Sequence, residues 1–159
     1  MIKKYIKKLF TLLDKHNLKI SSVESFTGGL FASLITSVPG SSKYFMGSIV
    51  SYNTIIKEQL VKVDSNIIKD KTVVSKEVAD EMALKGKDLL KSDICVSFTG
   101  NAGPTVCEGD KEVGLTFVSI VYKDKLYSFK FLLKFSRNKI RYYCVKQAIL
   151  KLIEILEKK

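Results

Sequence analysis

Ser25 is the residue in this chain whose position most suggests chemistry. It ends the apolar run LKISSV and is followed by Phe26 and the triplet Thr27-Gly28-Gly29. Glycines allow a sharp backbone turn and close approach to a ligand. The free N–H groups of a helix that starts there can hold a phosphate or the oxyanion of an acyl transfer. The arrangement is similar to a nucleophile elbow without its GxSxG sequence, but Ser25 as a simple helix cap fits equally well.

A serine nucleophile needs a base, and the chain offers one histidine and 25 lysines. His16 lies near the end of the first predicted helix, where a solvated role or a favourable dipole interaction is expected. Lysine replaces histidine in Ser-Lys sites, but it must be neutral, which requires a pKa lowered by about three units, or roughly 4 kcal/mol. Burial and neighbouring positive charge both act in that direction. Periodicity selects no single lysine; Lys57 is geometrically plausible but also reads as a surface residue.

The sequence disfavours metal and cofactor chemistry. With one histidine and no clustered cysteines, a zinc site is not expected. Neither GxxxxGK[ST] nor GxGxxG occurs, which argues against a P-loop and a dinucleotide fingerprint. We therefore expect no metal and no cofactor.

Cysteine usage and the first residues indicate the compartment. Cys95, Cys107 and Cys144 form no CxxC pair, which fits a reducing environment. Cys95 is predicted to be in the core, and Cys107 to lie in a polar, exposed loop. The basic N-terminal segment lacks a small-residue cleavage site and reads as an amphipathic surface helix. We expect a cytoplasmic protein that does not associate with a membrane.

Composition predicts a single domain over residues 1–159. The mean hydropathy of +0.09 indicates a globular chain, and no apolar run is long enough to span a bilayer. The net charge of +11 suggests a nucleic-acid partner. Against this, only Arg137 and Arg141 are arginines, the better phosphate-binding residue, and the lysines are spread along the chain. A solvated lysine-rich surface is the simpler interpretation, so nucleic acid is not the expected partner.

Apolar periodicity and stop signals predict the order of elements. Asn53 and Ser75 are predicted N-caps, and residues 64–72 form a polar stretch. Val78, Met82 and Leu89–Leu90 are predicted to form the apolar face of one helix. Lys123-Asp124-Lys125 is predicted to be a hairpin turn. The predicted helices cover 1–17, 29–38, 53–63, 76–91 and 137–156, and the predicted strands 18–25, 46–52, 93–100, 113–122 and 126–135.

This order implies an α/β domain, a three-layer α/β/α sandwich with a mixed β-sheet. In such folds ligands bind beyond the carboxyl ends of the parallel strands. Ser25, Tyr52 and Thr99 each fall at or near such an end, which predicts a site there.

Several segments occur together, and in a fixed order, along this chain. They are ESFTGG at 24–29, VPGSS at 38–42, Tyr52-Asn53 with Lys57, TGNAGP at 99–104, VGL at 113–115, and Arg137 with Arg141. In this combination the chain resembles the CinA C-terminal domain family, known for nicotinamide mononucleotide (NMN) deamidase activity. The resemblance covers nearly the whole chain, and we expect a stand-alone form of the domain. This chain departs from the family pattern at Phe26, at Asn101 and in the loop after Pro104.

The resemblance implies hydrolysis of the NMN carboxamide within pyridine nucleotide recycling. Ser25 would be the nucleophile, Lys57 its base and Tyr52 a hydroxyl partner in proton transfer. The substrate would be bound by helix-start donors at Thr27, Gly28 and Gly29, by a facing wall of Thr99, Gly100 and Gly103, and by Arg137. Arg137 would pair with the 5′-phosphate, since its fork suits that geometry, although a surface ion pair explains it equally well.

A second hypothesis stays open: a non-catalytic module that binds nucleotides or nucleic acid, which the resemblance links to competence and DNA damage. Binding dominated by phosphate contacts weakens steeply with salt, whereas turnover of a small substrate changes far less. We also expect a homodimer or a higher homo-oligomer, by resemblance and because two-fold assemblies are the commonest.

Overall fold

A computed structural model describes residues 1–106, 109 and 112–159 of the chain. The predicted loop residue Cys107 lies outside the described residues. Within the described part, a short 3₁₀ turn, Ser41–Lys43, precedes β2. The helices are α1 (Ile2–Lys15), α2 (Leu30–Thr36), α3 (Thr54–Gln59), α4 (Ser65–Lys71), α5 (Lys76–Leu90) and α6 (Arg137–Glu157), and the strands are β1 (Ile20–Glu24), β2 (Phe45–Val50), β3 (Ile94–Gly100), β4 (Leu115–Tyr122) and β5 (Lys125–Leu132).

The five strands form one mixed sheet in the order β2-β1-β3-β4-β5. The first three are parallel, and β4 and β5 continue the sheet as an antiparallel hairpin. Glu24, the last residue of β1, pairs with Val50 of β2 and Phe98 of β3. The carboxyl ends of all three parallel strands therefore meet at one edge of the sheet, as predicted.

Helices cover both faces of the sheet, which confirms the predicted three-layer α/β/α architecture. On one face α1, α2 and α6 bury a large apolar cluster that includes Ile6, Phe31 and Ile149. On the other face α5 packs Val78 and Met82 against β1 and β3. The buried stripe of α1 is the one that its periodicity predicts, Ile6, Leu9, Phe10 and Leu13.

Local signals locate most elements correctly. The side chains of Asn53 and Ser75 accept hydrogen bonds from Ile55 N–H (2.9 Å) and Val78 N–H (3.2 Å), which confirms both N-caps. β4 and β5 are joined at Lys123 and Asp124, where Lys123 has a φ of 54°. This confirms the predicted hairpin.

Two features of the fold differ from the predictions. The polar stretch over 64–72, for which no helix is predicted, contains helix α4, which Asp64 caps by accepting from Asn66 N–H at 2.8 Å. Leu89, predicted on the apolar face of α5, is 48% exposed.

No helix in the part of the chain that the structure describes is long and apolar enough to cross a bilayer.

Candidate active site

Backbone hydrogen bonds tie the ends of the three parallel strands together around Ser25. Its N–H donates to the carbonyl of Phe98 in β3 at 3.0 Å. On the other side, the N–H of Ser51 donates to the carbonyl of Glu24 at 2.8 Å. The position of Ser25 is thus determined by β1 and by both of its neighbours.

Lys57 contacts the hydroxyl of Ser25. Its Nζ lies 2.9 Å from Ser25 Oγ, 2.6 Å from the carbonyl oxygen of Ser51 and 3.3 Å from that of Tyr52. Lys57 is only 2% exposed, because α3 turns back after Asn53 and directs the side chain toward the end of β1. The prediction that reads Lys57 as a surface residue is wrong; the alternative, in which it lies beside Ser25, is the observed arrangement.

The contacts of Lys57 suit a base as well as an ammonium ion. A neutral amine has two N–H donors and one lone pair. Two carbonyl oxygens can accept those donors, which leaves the lone pair for the proton of the Ser25 hydroxyl. The two carbonyls therefore hold the amine beside the Ser25 hydroxyl.

Glu24, directly before Ser25, is fully buried. Its carboxylate accepts from the N–H groups of Gly29 (3.1 Å), Phe31 (3.1 Å) and Ala32 (3.0 Å) at the start of α2. A carboxylate at a helix N-terminus is stabilised by these donors and by the helix dipole. Glu24 thus anchors the helix that follows Ser25.

The backbone donors after Ser25 divide into two groups. The N–H of Gly28 donates to Ser25 O at 3.0 Å, and that of Gly29 to Glu24. Both donors that the sequence assigns to substrate at these glycines are thus used inside the chain. Among the described residues, the structure gives no acceptor to the N–H groups of Phe26 and Thr27. They are the donors at this turn that a bound ligand can use.

A cavity of about 170 Å³ opens beside Ser25. Tyr52, Gly100 and Gly103 are among the residues that line it. At its rim, Arg137 donates to the phenol oxygen of Tyr52 at 2.9 Å and to the carbonyl of Gly103 at 2.7 Å. Arg137 therefore links two of the segments that line the cavity.

Four of the predicted substrate-binding residues do not line this cavity: Gly28 and Gly29, whose N–H groups are used inside the chain, and Thr99 and Thr27. Thr99 is buried and donates its hydroxyl to the carbonyl of Val73 at 2.8 Å. Thr27 is fully buried, and its Oγ1 has no hydrogen-bond partner in the described part of the chain. Its carbonyl accepts from Arg141 at 2.8 Å.

Histidine and metal ligands are not brought to this site. His16 follows α1 and precedes β1, whereas Ser25 follows β1, so the length of a five-residue strand, about 16 Å, separates the two ends. The described residues contain no group of three or more His, Cys, Asp or Glu side chains that could hold a metal ion.

Sequence reasoning gave no structural role to Glu24 or Arg141. Glu24 has a recognisable signal, a carboxylate at the end of a buried strand just ahead of a helix start. Arg141 has none, since its acceptors are backbone carbonyls more than a hundred positions away in sequence. Only the packing of α6 beside the turn brings them together.

Comparison with solved structures supports this fold. A competence or damage-inducible protein from Enterobacter asburiae matches with a TM-score of 0.95 at 20% identity, over 98% of each chain. The competence/damage inducible protein CihA from Agrobacterium tumefaciens matches with a TM-score of 0.92 at 26% identity, over 98% of this chain and 95% of its own.

Sequence comparison identifies the family. A CinA-like protein of Fusobacterium nucleatum is 44% identical over 92% of this chain, and one of Flavobacterium psychrophilum is 41% identical over 87%. The matches cover 36% and 33% of those proteins, so the chain spans about a third of their length. The family model for the CinA C-terminal domain matches residues 2–156. The chain belongs to the CinA C-terminal domain family.

Proposed function

We propose that this chain is a serine amidohydrolase that hydrolyses the carboxamide of NMN to nicotinic acid mononucleotide and ammonia. The observation that carries the proposal is the 2.9 Å contact between the buried Lys57 amine and Ser25 Oγ at the edge of a cavity. A lysine is seldom buried without a compensating reason. Activation of a serine is such a reason in Ser-Lys hydrolases.

In the first half-reaction, neutral Lys57 takes the hydroxyl proton of Ser25 while Oγ attacks the carboxamide carbon. Negative charge develops on the amide oxygen, and the N–H of Phe26 is the donor expected to stabilise it, as in other nucleophile elbows. The tetrahedral intermediate then collapses. The C–N bond breaks, and the nitrogen leaves as ammonia after taking a proton.

Tyr52 is suited to deliver that proton. Its phenol oxygen already accepts from Arg137, so its own proton is available for donation. Lys57, now charged, resupplies the phenol. In the second half-reaction Lys57 activates water, which hydrolyses the nicotinoyl ester and regenerates Ser25.

The dimensions of the cavity suit one end of the substrate. Ligand pockets usually measure roughly 300–1,000 Å³, whereas this one measures about 170 Å³. We place the pyridine carboxamide inside it and the ribose phosphate at the rim, where the Arg137 guanidinium can pair with the phosphate. Both acceptors of Arg137 in the structure, the Tyr52 phenol and the Gly103 carbonyl, are neutral. A dianionic phosphate would therefore compete well with them for the N–H donors of the guanidinium.

Ammonia release from NMN tests the proposal, with a chelator present. Wild type should turn over, Ser25→Ala should lose nearly all activity, and Ser33→Ala, which removes an exposed hydroxyl on α2, should match wild type. Nicotinamide riboside should react far more slowly, because it lacks the phosphate. A folded wild type that releases no ammonia from NMN would refute the proposal.

We further propose that the chain acts as a homodimer in the cytoplasm. β2 is an edge strand, and Met46 and Val50 on it, with Ile55 and Leu60 of the adjoining segment, are each about half exposed. A free strand edge beside apolar side chains favours association with another chain. Sedimentation of wild type and Val50→Lys tests this: the variant should be monomeric, whereas a monomeric wild type contradicts the proposal.

A further inference from the structure

Arg141 makes an unusual set of contacts for an arginine beside a candidate active site. Its Nε donates to the carbonyl of Phe26 at 3.1 Å, and one terminal nitrogen donates to the carbonyl of Thr27 at 2.8 Å. The other terminal nitrogen donates to Asn138 Oδ1 at 3.2 Å. All three nitrogens of the guanidinium thus donate to neutral groups of the chain itself. Arg137, by contrast, lies at the rim of the cavity.

These contacts determine the direction of the backbone after the nucleophile. The peptide bond between Phe26 and Thr27 is trans, so its C=O and N–H point in opposite directions. With the Phe26 carbonyl held by Arg141, the N–H of Thr27 must point away from α6. The preceding peptide is oriented in the same way, because the carbonyl of Ser25 accepts from Gly28 N–H. The N–H groups of both Phe26 and Thr27 therefore have set directions.

The surroundings of Gly28 also show that the guanidinium lies next to this turn. Gly28 has a φ of +58°, and a Cβ built on it would lie 3.4 Å from a terminal nitrogen of Arg141. That is an ordinary van der Waals distance. The guanidinium therefore faces the turn at three successive residues, Phe26, Thr27 and Gly28.

We infer that Arg141 is a positioning residue, which holds the peptide between Phe26 and Thr27 so that the Thr27 N–H meets the oxyanion beside the Phe26 N–H. This inference rests on the proposed serine chemistry. Arg141 does not touch substrate, and its effect is exerted through the backbone. Lysine cannot replace it, because a single ammonium does not reproduce a planar fork that bonds two carbonyls at once.

Steady-state kinetics of Arg141→Lys separate positioning from substrate binding. Loss of one oxyanion donor costs about 10²–10³ in kcat; donors that are present but misdirected should cost about 10–100-fold. KM for NMN should stay within about threefold of wild type, because binding energy common to substrate and transition state is retained. Lys139→Met, which removes an exposed charge from the same helix, should leave both constants unchanged.

A fluorophosphonate probe that labels the serine gives a second readout without NMN. Phosphonylation also develops negative charge on an oxygen, so Arg141→Lys should slow labelling of Ser25 by a similar factor, with Ser25→Ala as the blank. Arg141→Gln, which keeps one donor without the charge, should be slowed as well, and it serves if Arg141→Lys fails to fold.

The outcomes distinguish this inference from the proposed function. An unchanged kcat and labelling rate in Arg141→Lys, or a rise in KM alone, overturns the positioning role. If wild-type Ser25 is labelled but NMN is not hydrolysed, the proposed substrate is wrong, and the labelling rates alone decide the role of Arg141. A wild type that neither hydrolyses NMN nor is labelled refutes both.

Discussion

Replacing Lys57 with methionine is the sharpest test of the Ser-Lys interpretation. The change keeps the length and apolar stem of the side chain but removes the amine that lies 2.9 Å from Ser25 Oγ. A positioned general base contributes typically 10²–10⁴ in rate. We therefore expect Lys57→Met to lower kcat for ammonia release by at least that factor. Lys69→Met, which removes an exposed lysine on α4, should keep wild-type activity.

The same variant has a calculable effect on stability. The buried carbonyl of Ser51 loses a donor at a cost of about 1–3 kcal/mol, and the partly buried carbonyl of Tyr52 loses one at a smaller cost. Removing a buried polar amine offsets part of this, so the free energy of unfolding should fall by about 1–3 kcal/mol. For a domain of this size the Tm then falls by about 2–12 °C. Assays at 25 °C would thus still use folded protein.

A double-mutant cycle decides whether the two side chains act as one unit. Residues of a catalytic unit are strongly non-additive, so Ser25→Ala with Lys57→Met should be no slower than the slower single variant. A Lys57→Met variant that keeps more than a tenth of wild-type kcat contradicts the role of Lys57 as base. Multiplicative losses in the double variant would do the same.

Three further predictions concern packing, thiols and charge. Gly86→Ala should lower the Tm by a few degrees in a thermal melt, because the added Cβ would lie 2.3 Å from Val23 Cγ2. Such overpacking costs about 1–3 kcal/mol, more than the gain in helix propensity, so a higher Tm contradicts the close contact of α5 with β1. Burial raises the pKa of Cys95 to about 12 and that of Cys144 to about 11, so both remain unreactive thiols at pH 8; in Cys107→Ser, Ellman's reagent should detect about two thiols only after unfolding, and rapid reaction of the native protein contradicts this. Finally, kcat/KM for NMN should change only a few-fold between 50 and 200 mM salt, whereas a phosphate-dominated nucleic-acid interaction would weaken by about 10³–10⁵.

The sequence allows the fold to be predicted well because strong local signals agree with one another. The N-cap residues Asn53 and Ser75 mark the starts of α3 and α5, and the apolar stripe of α1 identifies its buried face. Helix α4 is not predictable in the same way. It is seven residues long and mostly polar, and it is stabilised by its Asp64 cap and by two isoleucines packed against the second apolar cluster.

The candidate site is less predictable because tertiary packing builds it. Spacing locates Ser25 and Tyr52 at strand ends, since parallel strands align these ends. It does not distinguish Lys57 from 24 other lysines, because burial depends on how α3 turns back toward β1. Likewise, the glycine pattern predicts a tight turn but not that Glu24 takes the Gly29 donor.

The burial of Lys57 also makes its amine a chemical reporter. Among the lysines that the structure describes, Lys57 alone is buried. An acylating reagent in water should therefore modify the surface amines first and remove much of the positive charge while the site amine is spared. Acylation of Lys57 then requires that α3 separate from the end of β1. The rate of that late modification, followed by mass spectrometry, measures how often the candidate site opens.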